Sequence, residues 1–194
     1  MSSQVAGAVV VDSWAAKSMA RNAALVLGLT AIQAGLTYFV SVTLPFTPVP
    51  LTLQTFAVLA GAAALGAERA VISQILYLLL AVAGLPILAE RSSGLDAVVG
   101  ATGGYLLGFI VASYVVGRIA ERGATRKVAS TVLAYVAGSA VIYTLGAIWL
   151  AYSTSNSISW AIANGVAPFL VGDAIKAVAA GAVLPAAWKL VDGK

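Results

Sequence analysis

The chain has 194 residues, of which 61% are hydrophobic and only 9% charged, with a mean hydropathy of +0.98; a soluble domain carries roughly a quarter charged residues, so this is the composition of an integral membrane protein. Cysteine and histidine are both absent, which removes thiol catalysis, disulfides, histidine-bound zinc and imidazole bases together. The net charge of +4 is spread over segment ends instead of forming a basic stripe, so it marks membrane topology and not a nucleic-acid partner.

The first apolar run, Val5–Val11, is short and is followed by Asp12, Lys17 and Arg21, so it lacks the charge-first order of a cleavable signal peptide. Residues 1–19 are expected at the inner membrane surface, ahead of one transmembrane domain over residues 20–194. A spanning helix needs about 20 mostly apolar residues, and charge-free stretches run over Asn22–Ala67, Ala70–Ala89, Ala97–Gly117 and Val128–Gly172. They predict an all-α bundle of six transmembrane helices: Ala20–Leu44, Leu51–Leu65, Arg69–Ile87, Gly103–Glu121, Arg126–Tyr152 and Val166–Leu190, the last interrupted late by Pro185.

Between the first two helices lies Leu44-Pro-Phe-Thr-Pro-Val-Pro-Leu51, with prolines at 45, 48 and 50. Proline removes a backbone donor and restricts the residue before it, so this connection is stiff and extended. The second connection, Gly66-Ala-Glu-Arg69, is a tight charged turn, whereas Leu88–Thr102 is long and glycine-containing, as a lid would be. In a six-span arrangement Lys17, Arg21, Arg69, Arg118, Arg122, Arg126, Lys127, Lys189 and Lys194 share one side, which the positive-inside rule makes cytoplasmic, together with both termini. Arg91 and Lys176 are the exceptions. The other side collects Trp149, Tyr152 and Trp160 around a Ser/Thr/Asn loop, as an interfacial aromatic belt.

Asp173 and Lys176 sit one turn apart inside the apolar last helix. An ionisable side chain at the centre of a membrane helix costs about 2.5–3.5 kcal/mol on insertion scales and usually faces a cavity or a partner. The two can neutralise each other on one helix face, either as a packing device or as a ligand-binding pair reached from outside. Arg91 is either a solvated loop residue beside Glu90 or an anchor for an acidic ligand group, since guanidinium grips a carboxylate in two-pronged fashion. Thr52 and Gln54 either satisfy loop backbone groups or face a ligand, and Gln74, Tyr77 and Tyr105 either glue helices together or line a pocket. The Gly103-Gly104-Tyr105 run permits close backbone approach. Ala20, Ala24 and Gly28 form a small-residue stripe suited to close helix contact, within the chain or with a partner. No Gly-x4-Gly-Lys-Ser/Thr motif occurs, so no P-loop and no intrinsic ATP hydrolysis are expected, nor any resident cofactor or metal.

Four strings, in order, carry a family resemblance: Thr47-Pro-Val-Pro-Leu-Thr-Leu-Gln-Thr55, Leu76-Tyr-Leu-Leu-Leu-Ala-Val-Ala-Gly-Leu-Pro86, Thr102-Gly-Gly-Tyr-Leu-Leu-Gly-Phe109 and Pro168-Phe-Leu-Val-Gly-Asp-Ala-Ile-Lys176. Over about Ala20 to Leu190 the chain resembles BioY, the biotin-binding S-component of energy-coupling factor (ECF) transporters. The resemblance implies a six-helix bundle in a prokaryotic plasma membrane that captures biotin from outside, with no enzymatic activity of its own. It implies as partners a transmembrane T-component and two ABC-type ATPases. Thr52, Gln54, Tyr77, Gly103, Gly104, Tyr105, Asp173 and Lys176 match the family's motifs, and the Ala20, Ala24, Gly28 stripe would dock the T-component. The stretch Pro86-Ile-Leu-Ala-Glu-Arg-Ser-Ser-Gly94 departs from the family's glycine-rich segment, which leaves the equivalents of Glu90 and Arg91 open, as well as whether Lys176 or Arg91 meets the biotin carboxylate. An S-component for another vitamin and a stand-alone biotin transporter remain the alternatives within transport. A membrane enzyme lacks the residues it needs, and a scaffold would use Asp173 and Lys176 for packing alone.

Overall fold

A computed structural model describes residues 9–13 and 18–192; Lys17 and Lys194, counted above for topology, lie outside them. Helix α1 (Met19–Phe39) starts at Ser18, whose hydroxyl accepts from the backbone N–H of Arg21 at 3.1 Å, satisfying one of the orphan amides of a first turn. The chain then forms a two-stranded antiparallel ribbon, β1 (Ser41–Val42) against β2 (Leu51–Thr52), with Ser41 opposite Thr52. The proline loop is the hairpin's long end. Because Leu51 and Thr52 are spent on that ribbon, α2 (Gln54–Leu65) begins later than expected, its first amide donating to Thr52 Oγ at 3.2 Å.

Gly66, at φ 86°, turns the chain directly into α3 (Ala67–Val82), using backbone space open to glycine. α3 ends well before the expected Ile87. Gly84, at φ 101°, lets the Leu85 N–H donate back to the Leu80 carbonyl at 3.1 Å, the bond that closes a helix end. After a short α4 (Leu95–Val98), helices α5 (Gly103–Glu121) and α6 (Val128–Ser153) match their expected ranges closely. The segment expected as a polar outer loop contains a further helix, α7 (Ile158–Gly165), capped by Ser157, which accepts from the Trp160 N–H at 3.2 Å. The last helix, α8 (Leu170–Asp192), starts later than expected and runs through Pro185 without stopping there.

The architecture is an all-helical bundle of membrane character. Among the described residues, four segments are long and apolar enough to cross a membrane: Met19–Phe39, Gly103–Glu121, Val128–Ser153 and Ile158–Leu190. With 12 and 16 residues, α2 and α3 extend about 18 and 24 Å at 1.5 Å per residue, short of a hydrocarbon core of about 30 Å. The expected count of six spanning helices is therefore not met by helix length alone.

The centre of the bundle is the α5–α6 pair, where glycine removes the side chain that would hold the backbones apart. A Cβ on Gly104 would lie 2.2 Å from Trp149 Cβ, and one on Gly146 would lie 2.3 Å from the Tyr105 ring. Helix α1 is joined to α3 differently, by a polar ladder. Thr30 and Ser73 hydroxyls meet at 2.9 Å, Gln74 Nε2 donates to Gln33 Oε1 at 2.8 Å, and the Tyr77 hydroxyl lies 3.5 Å from Thr37 Oγ1. At the far end from the proline loop, Val9, Val10 and Val11 are buried between α2 and α8. Asp12 follows them and accepts from Arg69 at 2.8 Å and Arg21 at 3.3 Å, while Arg21 also donates to the Val11 carbonyl.

Candidate ligand site

A cavity of about 290 Å³ opens beneath the proline loop, between α2, α5, α6 and α8. Its walls are mostly apolar, supplied by Pro48, Val49, Leu106, Phe109, Ile142 and Phe169, with polar groups gathered on one side from Thr52, Gln54, Thr55, Tyr143, Asp173 and Lys176. Ligand sites have this make-up, and the volume lies at the lower end of their usual range of roughly 300–1,000 Å³.

Asp173 and Lys176 face the cavity from α8 as a direct ion pair, Lys176 Nζ to Asp173 Oδ1 at 2.8 Å, with side chains only 7% and 14% exposed. Burying either ion alone would cost several kcal/mol; the surroundings offset this by hydrogen-bonding both. Lys176 sends its other two donors to the Thr52 carbonyl and Thr55 Oγ1, each at 2.9 Å. Thr55 in turn donates to Asp173 Oδ1 at 3.1 Å, and the Tyr143 hydroxyl donates to Asp173 Oδ2 at 2.7 Å. All three ammonium protons are thus used, and three of the roughly four lone-pair positions of the carboxylate. The pair clasps α2 to α8 at the cavity while leaving one carboxylate acceptor position open.

Of the residues singled out in the sequence, Thr52, Gln54, Tyr105, Asp173 and Lys176 line the cavity. Tyr77 stands one step behind it. Its hydroxyl accepts from Gln54 Nε2 at 2.9 Å and donates to the Ile87 carbonyl at 2.5 Å, which fixes the Gln54 amide and the start of the third connection. Gly103 and Gly104 do not line the cavity; they admit Trp149, whose indole N–H donates to the Gly100 carbonyl at 2.8 Å. Tyr105 is tethered by its hydroxyl to the Gly165 carbonyl at 2.8 Å, so the unexpected helix α7 positions one wall. Arg91 lies outside the cavity, with its guanidinium 4.4 Å from the centre of the Tyr38 ring. Glu90 lines the cavity instead, and it joins the third connection to the first: its N–H donates to Ser41 Oγ at 3.2 Å and its carboxylate accepts from Thr43. Both Glu90 and Arg91 hold φ of 58°, a conformation uncommon for residues with a side chain.

Sequence reasoning missed Thr55 and Tyr143. Thr55 falls three residues after Thr52, and Tyr143 is a tyrosine midway along an apolar helix, far from either interface; those two placements were the available signals.

An all-helical membrane protein with a ligand-sized internal cavity, closed over by a proline loop and floored by a hydrogen-bonded ion pair, is the class that this fold and site define. The sequence matches the profile of the BioY family over residues 6–193, and the chain belongs to that family. It is 39% identical over 139 residues to "Biotin transporter BioY" of Thermotoga maritima, covering 72% of this chain and 80% of that protein. It is 35% identical over 177 residues to "Biotin transporter BioY" of Rhodobacter capsulatus, covering 85% and 92%. In fold it is similar to the crystal structure of the S-component for biotin from an ECF-type ABC transporter, with a TM-score of 0.79 at 24% identity over 90% of this chain and 95% of that one.

Proposed function

We propose that this chain is the substrate-capture subunit of a biotin uptake system, an S-component that takes biotin into the cavity from outside the cell and is energised by an ECF T-component and two ABC-type ATPases. The observation that carries the reading is the buried Asp173–Lys176 pair in the wall of a mostly apolar cavity. Biotin offers a ureido ring with two N–H donors and one carbonyl acceptor, an apolar fused ring and chain, and a carboxylate. The open acceptor position on Asp173 suits a ureido N–H, and the apolar wall of Leu106, Phe109 and Ile142 suits the fused ring. Either Lys176 or Arg91 meets the carboxylate; Arg91 does so only by leaving Tyr38. In this reading α2 and α3 also cross the bilayer, giving six crossings, with both termini cytoplasmic. The relatives' names support biotin as substrate. Isothermal titration of the purified protein tests it: tight binding of biotin, and none of thiamine, riboflavin or folate, is the expected result, and preference for another vitamin would overturn it.

The proline loop and the Glu90 connection act together as a lid. Prolines reduce the freedom lost on closing, and the ribbon already pairs the loop's two ends. Hydrogen exchange across residues 44–55 should slow markedly when biotin is added. Equal exchange with and without biotin would count against the lid.

Docking of the T-component falls to the outward face of α1. Ala20 and Ala24 are exposed, and a Cβ on Gly28 or Gly35 would meet nothing within 4 Å. A lipid-facing stripe of small residues allows another helix to approach closely. Ala24→Trp is expected to leave biotin affinity of the isolated subunit unchanged while abolishing co-purification with the T-component and ATP-driven uptake. Normal assembly by the tryptophan variant would move the docking face elsewhere.

A further inference from the structure

The proline loop alternates in burial: Phe46 and Pro48 are exposed, whereas Thr47 and Val49 are only 6% and 8% exposed. Val49 carries the only N–H of the Pro48-Val49-Pro50 stretch, since proline has none. That amide donates to Thr47 Oγ1 at 3.1 Å, a turn in which a threonine side chain closes on the backbone two residues on. The same hydroxyl donates its own proton to the Asn164 carbonyl at 2.5 Å. Asn164 stands in the last turn of α7, where carbonyls have no partner within the helix. The next carbonyl along, that of Gly165, accepts from the Tyr105 hydroxyl at 2.8 Å. One helix end therefore holds the loop through Thr47 and the cavity wall through Tyr105. Pro48, Val49, Pro50 and Tyr105 line the cavity, and Thr47, Asn164 and Gly165 do not. The clasp sits behind the two surfaces that it joins.

We propose that Thr47 is a positioning residue that sets how often the proline loop opens, its hydroxyl tying the loop down onto α7. This inference rests on the reading of the cavity as a biotin site entered from outside and covered by that loop. The loop has to lift for biotin to pass in either direction, and lifting breaks the Thr47–Asn164 bond. Every atom of the clasp belongs to the protein and none meets the cavity, so the clasp resists opening of the free and the loaded protein alike. A device of this kind slows entry and exit by the same factor and cancels from the affinity, unlike a residue that touches the ligand.

Thr47→Val keeps the shape of the side chain and removes the hydroxyl. Association and dissociation of radiolabelled biotin, followed by rapid filtration of the purified protein, should both speed up about fivefold, the factor that one ordinary net hydrogen bond is worth, while Kd stays within about twofold. Thr47→Ser retains the hydroxyl and should keep the wild-type rates. Thr47→Ala is measured alongside, since it removes the hydroxyl without placing a second methyl against the Asn164 carbonyl. A further comparison needs no ligand. Without biotin, hydrogen exchange over residues 47–50, where Thr47 and Val49 alone carry an amide, should be faster in Thr47→Ala than in Thr47→Ser. Unchanged rates in the valine and alanine variants would overturn the proposal. So would a serine variant as fast as the alanine one, equal exchange in those two, or faster dissociation with association unchanged. A wild-type protein that binds no biotin would instead defeat the functional reading, and the exchange comparison would still decide whether the hydroxyl holds the loop.

Discussion

Alanine in place of Asp173 is expected to weaken biotin binding by well over tenfold, and alanine in place of Lys176 to do the same. Breaking a buried pair by removing one partner costs on the order of 3–5 kcal/mol, because the other charge is left uncompensated. The geometry makes the loss larger than one contact. Without Asp173, Lys176 keeps only the Thr52 carbonyl and Thr55, and the Tyr143 hydroxyl loses its acceptor at 2.7 Å. Without Lys176, nothing ties α8 to the Thr52 carbonyl at the head of α2. Equilibrium binding measured on variants that elute as monodisperse, folded protein decides the matter; affinity equal to wild type would return the pair to a packing role.

Valine at Gly117 should abolish folding, the second large effect. A Cβ there would lie 2.4 Å from both the nitrogen and the Cα of Ala67. Backbone atoms at the start of a helix cannot turn aside as a side-chain tip does, and even overpacking against side chains costs about 1–3 kcal/mol. The expected result is loss of monodisperse protein in detergent, or a fall in Tm of about 6 °C or more, from at least about 3 kcal/mol at the roughly 2–4 °C per kcal/mol typical of 150–250-residue domains. Gly28→Val is the matched control, since a Cβ at Gly28 meets nothing within 4 Å. A Gly117→Val protein as stable as the control would show that α5 and α3 are not in backbone contact.

Charge made the central part of the site legible. Two ions in an apolar helix have few uses, so Asp173 and Lys176 stood out without any structure. Thr55 and Tyr143 did not, because a hydroxyl in a membrane helix bonds as readily to its own backbone; only the fold reveals that these two reach across to α8. Arg91 illustrates the converse, since a positive charge in a loop says nothing about which way the side chain turns, and Tyr38 takes it. Helix α5 was readable at both ends because a Gly-Gly start and a charged finish bracket one apolar run. The beginning of α2 was not, since it depends on pairing with Ser41–Val42, a contact that no local pattern encodes. Helix α7 is eight residues long, too short for its periodicity to rise above the serines and asparagines around it.

The polar ladder between α1 and α3 restricts how α1 can move. Sliding α1 by one turn would put Val26 and Leu29 where Thr30 and Gln33 now meet Ser73 and Gln74, stranding buried polar groups at about 1–3 kcal/mol each. Rocking about the ladder breaks far less. Helix α1 is thus a lever and not a piston: its fulcrum is the Gln33–Gln74 bond, one arm is the small-residue stripe on its surface, and the other ends one residue before β1, which is paired with the strand that carries Thr52 into the cavity wall.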